Sequence, residues 1–165
     1  MAAHVLVAYA TKYGSNREIA EAIAETLREA DLEADVRSAR SVVDLVRYDA
    51  VVLGSALYAA HWRSDANRFV KRHLEALQER PVWLFSSGPL DPTANSQDIP
   101  ISPHVAPEVE PIGIRGHRTF GGRLLPGTGV PDDILATHPN GDFRDFGAIR
   151  EWARGIAEAL TAEER

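Results

Sequence analysis

The chain has 165 residues, of which 44% are hydrophobic and 25% charged, a size and composition typical of one globular domain with a proper core. Its net charge of −6 disfavours a nucleic-acid partner, and the absence of cysteine excludes disulfides, thiolate catalysis and iron–sulfur clusters. No apolar run approaches the length of a membrane span, and no basic leader precedes the first apolar run. We therefore expect a single cytoplasmic domain over residues 1–165, without stable membrane anchoring.

The first half of the chain alternates buried strands with amphipathic helices. Continuous apolar runs at 5–9 and 50–54 are typical of strands buried on both faces, and Pro81 opens a further predicted strand over 82–86. Ser15 and Glu18 have the spacing of a capping box and begin a helix predicted over 15–30. The residues between these elements predict a strand over 34–38, a short helix over 42–46 and a long helix from 64 or 65 to about 77.

The second half is interrupted by proline. All ten prolines lie between Pro81 and Pro139, and six of them fall in the 87–115 segment, which leaves little room for a helix there. A loop of this length is usually a functional cover or mobile. A strand around Phe120, predicted over 117–125, a Pro/Gly-rich stretch over 126–141 and a helix from about 145 complete the chain.

This order of elements predicts an α/β fold, in which a parallel sheet carries helices on both faces. Ligands of such sheets bind outside the carboxyl ends of the strands. The loop after the first strand runs directly into a helix N-terminus, where free N–H groups and the helix dipole favour a phosphate. An ordinary turn in which Ser15 merely caps the helix explains the same residues. Neither a GxGxxG nor a GxxxxGK[ST] motif is present.

Two segments carry a family resemblance. Residues 9–20 resemble the FMN-phosphate loop and first helix of flavodoxins, and residues 48–56 resemble their third strand and the loop beside the flavin. The chain is most similar to flavodoxin-domain proteins of the menaquinone-dependent protoporphyrinogen oxidase type. That likeness is carried by Gly54, His61, Phe69 and Val70, with a looser match to the family's final helix. The resemblance implies a flavodoxin-like, doubly wound, five-stranded sheet in the order 2-1-3-4-5, with the long Pro-rich loop in place of a regular fourth helix.

The resemblance also implies a cofactor, FMN, and the residues that hold it. The phosphate would be bound by Thr11, Lys12, Tyr13, Gly14, Ser15 and Asn16. One side of the isoalloxazine ring would be lined by Ser55, Ala56, Leu57 and Tyr58, and the other by Ser86, Ser87, Gly88, Pro89 and Leu90. Tyr58 is expected to stack on the ring, whereas Trp62 is expected to pack against the following helix. No residue is expected to act as a covalent catalyst, and the histidines lack metal-ligand spacing.

Four functions remain open at this stage. The first is an FMN-dependent oxidoreductase with a quinone-like acceptor, favoured because the loop over 87–115 could build a pocket above the ring. The second is an electron carrier, whose docking to a basic redox partner protein the charge of −6 would suit. The others are a protoporphyrinogen dehydrogenase and a binding module that has lost FMN. Tyr13, which stands where flavodoxins typically have a threonine, supports the last. His61 is either a proton donor near the flavin or a surface residue.

Overall fold

The computed structural model describes residues 2–11, 15–58, 60–88, 94, 98–123 and 142–163, without the side chains of Ser15, Tyr58 and Glu163. The strands are β1 (His4–Ala10), β2 (Glu33–Ser38), β3 (Ala50–Tyr58), β4 (His61–Trp62), β5 (Val82–Ser87) and β6 (Gly116–Phe120). The helices are α1 (Ser15–Glu29), α2 (Ser64–Arg72), α3 (Leu74–Gln78), α4 (Ala106–Val109) and α5 (Phe146–Glu163). Two short 3-10 turns cover Ala39–Ser41 and Glu110–Ile112.

Five of the strands form one parallel sheet in the order β2-β1-β3-β5-β6. β4 adds two residues by antiparallel pairing with the end of β3. The predicted order of five parallel strands is therefore confirmed, with one short strand added. The central strands are apolar on both faces because helices cover both, so that Val5 to Ala8 and Ala50 to Leu53 are fully buried.

The two faces of the sheet have separate cores. On the first face, α1 and α5 pack against alternate residues of the strands, including Val7, Val52 and Phe85. On the second face, α2, α3 and α4 pack against Leu6, Leu53 and the other alternate residues. The Pro-rich loop contributes to the second core through Val105, Val109 and Ile112, all three of which are buried.

One glycine in β3 is required by its partner strand. A Cβ added at Gly54 would lie 1.9 Å from the ring of Phe85, the residue that pairs with it in β5. No side chain can be placed there without moving the ring, which is fully buried. The phenyl ring thus packs directly on the β3 backbone, one residue before the strand's polar end.

Several predicted elements differ from the structure. Residues 42–46 are not helical. They follow a 3-10 turn, and buried Val42 and Leu45 merely share the spacing of a helix. The long helix is interrupted at His73, whose φ of −110° and ψ of 18° separate α2 from α3.

The Pro-rich loop contains α4, which tolerates Pro107 because this proline lies in the first turn, where its missing N–H has no helical partner. β6 ends at Phe120 rather than near 125.

Candidate functional site

The register of the sheet brings the ends of four strands to one edge. Ala10 of β1 pairs with Ser55 of β3, and Ser55 pairs with Ser86 of β5. Ser87 in turn pairs with Phe120 of β6. The loops after β1, β3 and β5, which the sequence analysis selects as candidate binding loops, therefore leave the sheet side by side.

Asn16 joins two of these strand ends to the start of α1. Its side chain is fully buried, and its Nδ2 donates a hydrogen bond of 3.0 Å to the carbonyl of Ala10. Its Oδ1 accepts a hydrogen bond of 2.5 Å from the hydroxyl of Ser87. Asn16 therefore fixes the first turn of α1 against β1 and β5.

Ser55 links β3 to the helix that follows it. Its hydroxyl donates to the carbonyl of Ala56 and accepts the backbone N–H of Arg63, both at 2.9 Å. Arg63 is the residue immediately before α2. The buried hydroxyl of Ser55 thus positions the return of the chain from the strand end into α2, next to the neighbouring residues Ala56 and Leu57.

Ser86 is the centre of a hydrogen-bonded chain on the second face. Its hydroxyl oxygen accepts the indole N–H of Trp62 at 2.9 Å and shares a hydrogen bond of 3.2 Å with Nε2 of His117. Burial lowers the pKa of His117 to about 4, against an opposing effect of Asp98, so the ring is neutral at pH 7. Trp62 is buried in the second core, as the sequence analysis expects.

The backbones at the strand ends approach each other closely. A Cβ at Gly88 would lie 3.0 Å from Cβ of Leu57, and one at Gly122 would lie 3.4 Å from the carbonyl oxygen of Gly88. The N–H of Gly88 donates to the carbonyl of Phe120 at 3.2 Å. Ala56, Leu57 and Gly88 are half-buried and apolar, and they lie at this edge of the sheet.

A cluster of four charges, here called the clasp, surrounds the first turn of α1. Arg144, with a side chain only 2% exposed, pairs with Asp142 at 2.9 Å and with Glu18 at 3.5 Å. Arg123 pairs with Glu18 at 3.3 Å and with Asp142 at 3.8 Å. A hydrogen bond from Arg144 lowers the pKa of the Asp142 carboxyl. Two guanidinium groups therefore offset the negative charge of Glu18 beside the loop predicted to bind phosphate.

The turn between β3 and β4 is held by the Pro-rich loop. Ala60 has a φ of 67°, a left-handed conformation unusual for a residue with a side chain. The hydroxyl of Ser102 donates to the carbonyl of Ala60 at 2.6 Å, and the rings of His61 and His104 stack with centroids 4.2 Å apart. Part of the loop over 87–115 thus lies against the turn that follows residues 55–58, the segment predicted to line the flavin.

The structure describes only part of the predicted binding set. Thr11 is half-buried at the end of β1, and Asn16, Ser55, Ser86 and Ser87 are buried. Ala56, Leu57 and Gly88 lie at the same edge. Lys12, Tyr13, Gly14, Pro89 and Leu90, together with the side chains of Ser15 and Tyr58, lie outside the described residues.

Sequence reasoning missed the residues that support this edge. No recognisable motif includes Arg123, Asp142 or Arg144. Their partner Glu18 was assigned to a capping box. Gly121, the first of two adjacent glycines, also supports this edge. In the structure a Cβ there would lie 2.0 Å from the carbonyl oxygen of Phe143, so the glycine permits a close backbone contact. Only the pair of adjacent glycines gave a signal for it.

The comparisons with known proteins agree with this geometry. A family model described as a flavodoxin domain matches residues 6–124. Protoporphyrinogen IX dehydrogenase (quinone) of Escherichia coli K12 is 32% identical over 83 residues, which are 49% of this chain and 46% of that protein. The chain thus spans about half the length of the curated relatives it matches.

Solved structures show the same fold. A flavodoxin from the domain Archaea has a TM-score of 0.63 at 14% identity, covering 96% of this chain and 99% of that one. Flavodoxin 2 of Bacillus cereus has a TM-score of 0.60 at 20% identity, covering 98% and 99%. Rubredoxin oxygen:oxidoreductase of Desulfovibrio gigas has a TM-score of 0.65 at 15% identity, covering 96% of this chain and 36% of that one. At these identities the likeness concerns the fold alone.

Proposed function

The chain belongs to the flavodoxin family, whose cofactor is FMN, and on this premise we propose that it is an FMN-dependent oxidoreductase with a small quinone-like acceptor. One observation carries the proposal. The ends of β1, β3 and β5 meet at one edge, where Asn16 and Ser87 fix the first turn of α1. Among the described residues, no helix is long and apolar enough to cross a membrane.

The residues at this edge suit the two ends of FMN. A phosphate needs hydroxyl and N–H donors at a helix N-terminus, and Thr11 and the start of α1 supply donors of that kind. The clasp supports the same assignment, because it offsets the charge of Glu18 that would otherwise repel a phosphate. A flavin ring needs a flat apolar slot, and Ala56, Leu57 and Gly88 offer half-buried apolar groups at this edge.

FMN supplies the chemistry when bound, since its ring accepts and donates one or two electrons. The chain's own residues bind and orient it. Residues 11–16 would hold the phosphate, residues 55–58 one side of the ring and residues 86–90 the other. The Pro-rich loop would exclude large molecules, because Ser102 and His104 lie against the turn that follows residues 55–58.

The choice of a quinone-like acceptor rests on two supports. The E. coli relative is named as a quinone-linked dehydrogenase, and the Pro-rich loop lies beside the segment proposed to line the ring. An electron carrier would instead need an exposed flavin edge and a charged docking face, and the net charge of −6 suits that alternative.

The phosphate assignment is tested by titrating the protein with FMN and with riboflavin, which lacks the phosphate. Gly14→Val should obstruct the turn and weaken FMN binding at least tenfold, about 1.4 kcal/mol, while affecting riboflavin less. Ser41→Ala, at an exposed turn, is the matched control. Unchanged FMN affinity in Gly14→Val would remove residues 11–16 as the phosphate site.

The acceptor is tested by stopped-flow reoxidation of the reduced holoprotein with a small and a bulky quinone. Ser102→Ala removes the hydroxyl that holds the loop to Ala60, so the rate with the bulky quinone should rise relative to the rate with the small one. FMN affinity should be unchanged, since the phosphate loop is untouched. If the ratio of the reoxidation rate with the bulky quinone to that with the small quinone is the same in Ser102→Ala and wild type, the electron carrier is favoured.

A further inference from the structure

We propose that the cleft between the edge strand β6 and helix α5 is a second binding site, whose ligand is a planar organic carboxylate. The cleft has a volume of about 500 Å³, within the usual range for small-molecule sites. It includes Trp83 and Trp152 as well as Arg115 and Arg118. This site goes beyond the proposed flavin function and does not depend on it.

The cleft is separate from the edge that carries the proposed flavin site. Trp83 and Gly116 are paired near the beginnings of β5 and β6, whereas the flavin residues lie at the strand ends. The remaining wall consists of α5 residues from Ala148 to Ile156. A ligand here would therefore lie beside the sheet and not above its carboxyl edge.

The first argument is an unsatisfied donor. Nε of Arg118 is buried and has no hydrogen-bond partner among the described residues. Buried polar groups are normally hydrogen-bonded, so a buried guanidinium nitrogen without an acceptor is a reason to expect one from a ligand. A carboxylate matches the planar fork of a guanidinium, which can donate two parallel hydrogen bonds to it.

The second argument is an unfilled position on the helix. Gly155 lies in the interior of α5, where glycine is among the least favourable residues. An added Cβ there would meet nothing within 4 Å, so no neighbour in the described structure requires a glycine. Its absent side chain keeps the cleft open.

The third argument concerns the shape and charge of the ligand. Trp83 is 6% exposed, and Trp152 packs edge-on against Phe120 with ring centroids 5.7 Å apart, so the aromatic wall is rigid. Such walls favour a planar apolar body. Two arginines line the cleft against one glutamate, Glu151, although the chain as a whole carries a charge of −6. The cleft is thus locally suited to an anion.

The test uses the 165-residue chain, with and without FMN, and sodium 2-naphthoate, and it follows the NMR signals of the tryptophan indole N–H and arginine Nε–H groups. We expect saturable shifts of Trp83, Trp152 and Arg118 with a Kd below about 1 mM. The Nε–H of Arg28 is an internal control, because it donates to the carbonyl of Ala34 at the opposite edge of the sheet. 2-Naphthamide, which lacks the charge, and acetate, which lacks the ring, should bind at least tenfold more weakly.

Two variants and their controls locate the site. Arg118→Gln and Gly155→Leu should each weaken naphthoate binding at least tenfold, the first by removing the fork and the second by filling the cleft. Gly155→Ala and Arg68→Gln, the latter on exposed α2, should bind as wild type. The proposal would be overturned if naphthoate did not shift the signals of Trp83 and Trp152, or if Arg118→Gln bound naphthoate as tightly as wild type. Release of FMN on adding naphthoate would also overturn it. None of these outcomes bears on the assignment of the FMN residues.

Discussion

The middle of the sheet and its carboxyl edge bury different kinds of side chain. In the middle, residues such as Leu6, Val52 and Leu84 are completely buried and apolar. Among the described residues, seven polar residues are buried together with their backbone, and five of them lie at or beside the strand ends. These are Asn16, Ser55, Ser86, Ser87 and Thr119.

Along the same strands, the apolar middle should contribute mainly to stability and the polar edge mainly to function. Burial of apolar side chains is the main favourable contribution to folding, so the middle should determine the free energy of unfolding. A hydrogen bond adds a smaller net amount, but a buried polar group loses much when its partner is removed. The polar edge therefore fixes the positions of the loops more than it stabilises the fold. Four substitutions test this division.

The largest effect is expected in the middle. Leu53→Ala should lower the free energy of unfolding by about 2–5 kcal/mol, because it leaves a cavity in a fully buried core. FMN affinity of the folded fraction should stay near wild type. Urea unfolding measures the loss, and Val46→Ala is the control, since Val46 is 85% exposed. A smaller loss than that of any edge substitution would contradict the comparison.

The second effect concerns the polar edge. Asn16→Ala removes both hydrogen bonds of the side chain and leaves Ala10 and Ser87 without these partners, which should cost about 1–3 kcal/mol. It should also weaken FMN binding, because the first turn of α1 is no longer fixed. Thr26→Val is the control: it removes a buried hydroxyl from the middle of the same helix. If both variants bound FMN like wild type, the edge would not position the loop.

The third effect is a pH dependence from His117. Its pKa is about 4 in the folded protein and 6.5 ordinarily, so the unfolded chain binds more protons between these values. Stability should therefore fall as the pH is lowered from 6.5 to 4. His117→Gln, which cannot titrate, should show a weaker dependence across this window in urea unfolding. Parallel curves for the two proteins would mean that His117 titrates normally.

The smallest effect is expected at the clasp. Asp142→Asn should lower stability by at most about 1 kcal/mol at pH 7, since Asp142 is partly exposed. Arg144 lowers the pKa of Asp142, so its stabilisation is present above the ordinary value of 3.8 and is lost as the pH falls through the lowered pKa. The difference between variant and wild type should close at acid pH. Asp65→Asn, in an exposed pair with Arg68, should have less effect at neutral pH.

The sequence was a good guide to the sheet because buried parallel strands leave a continuous apolar signal. β1, β3 and β5 were recognised by such runs, and α1 by the capping-box spacing of Ser15 and Glu18. Helix boundaries were less predictable. The apolar spacing of Val42 and Leu45 occurs without a helix, and the break at His73 contains neither glycine nor proline.

For the candidate site, the sequence predicted which loops take part but not how their side chains are bonded. Chain order and the rule for parallel sheets indicate which loops meet, but not which side chains bond across them. Asn16 and Ser87 are 71 residues apart, and Glu18 and Arg123 are 105 apart. A small polar residue has the same local signature whether it contacts a ligand or a neighbouring strand. The requirement for Gly54 was hidden for the same reason, because it depends on a ring in another strand.

The contacts on either side of residues 124–141 also bear on how this fold can be altered. Arg123 and Asp142 form an antiparallel bridge, and the N–H of Phe143 donates to Gly122 at 2.9 Å. The two ends of the intervening stretch are therefore already closed, as at the base of a hairpin. A change of chain length between Arg123 and Asp142 should therefore leave the sheet and both cores as they are, provided that the new segment still spans from one bridge residue to the other.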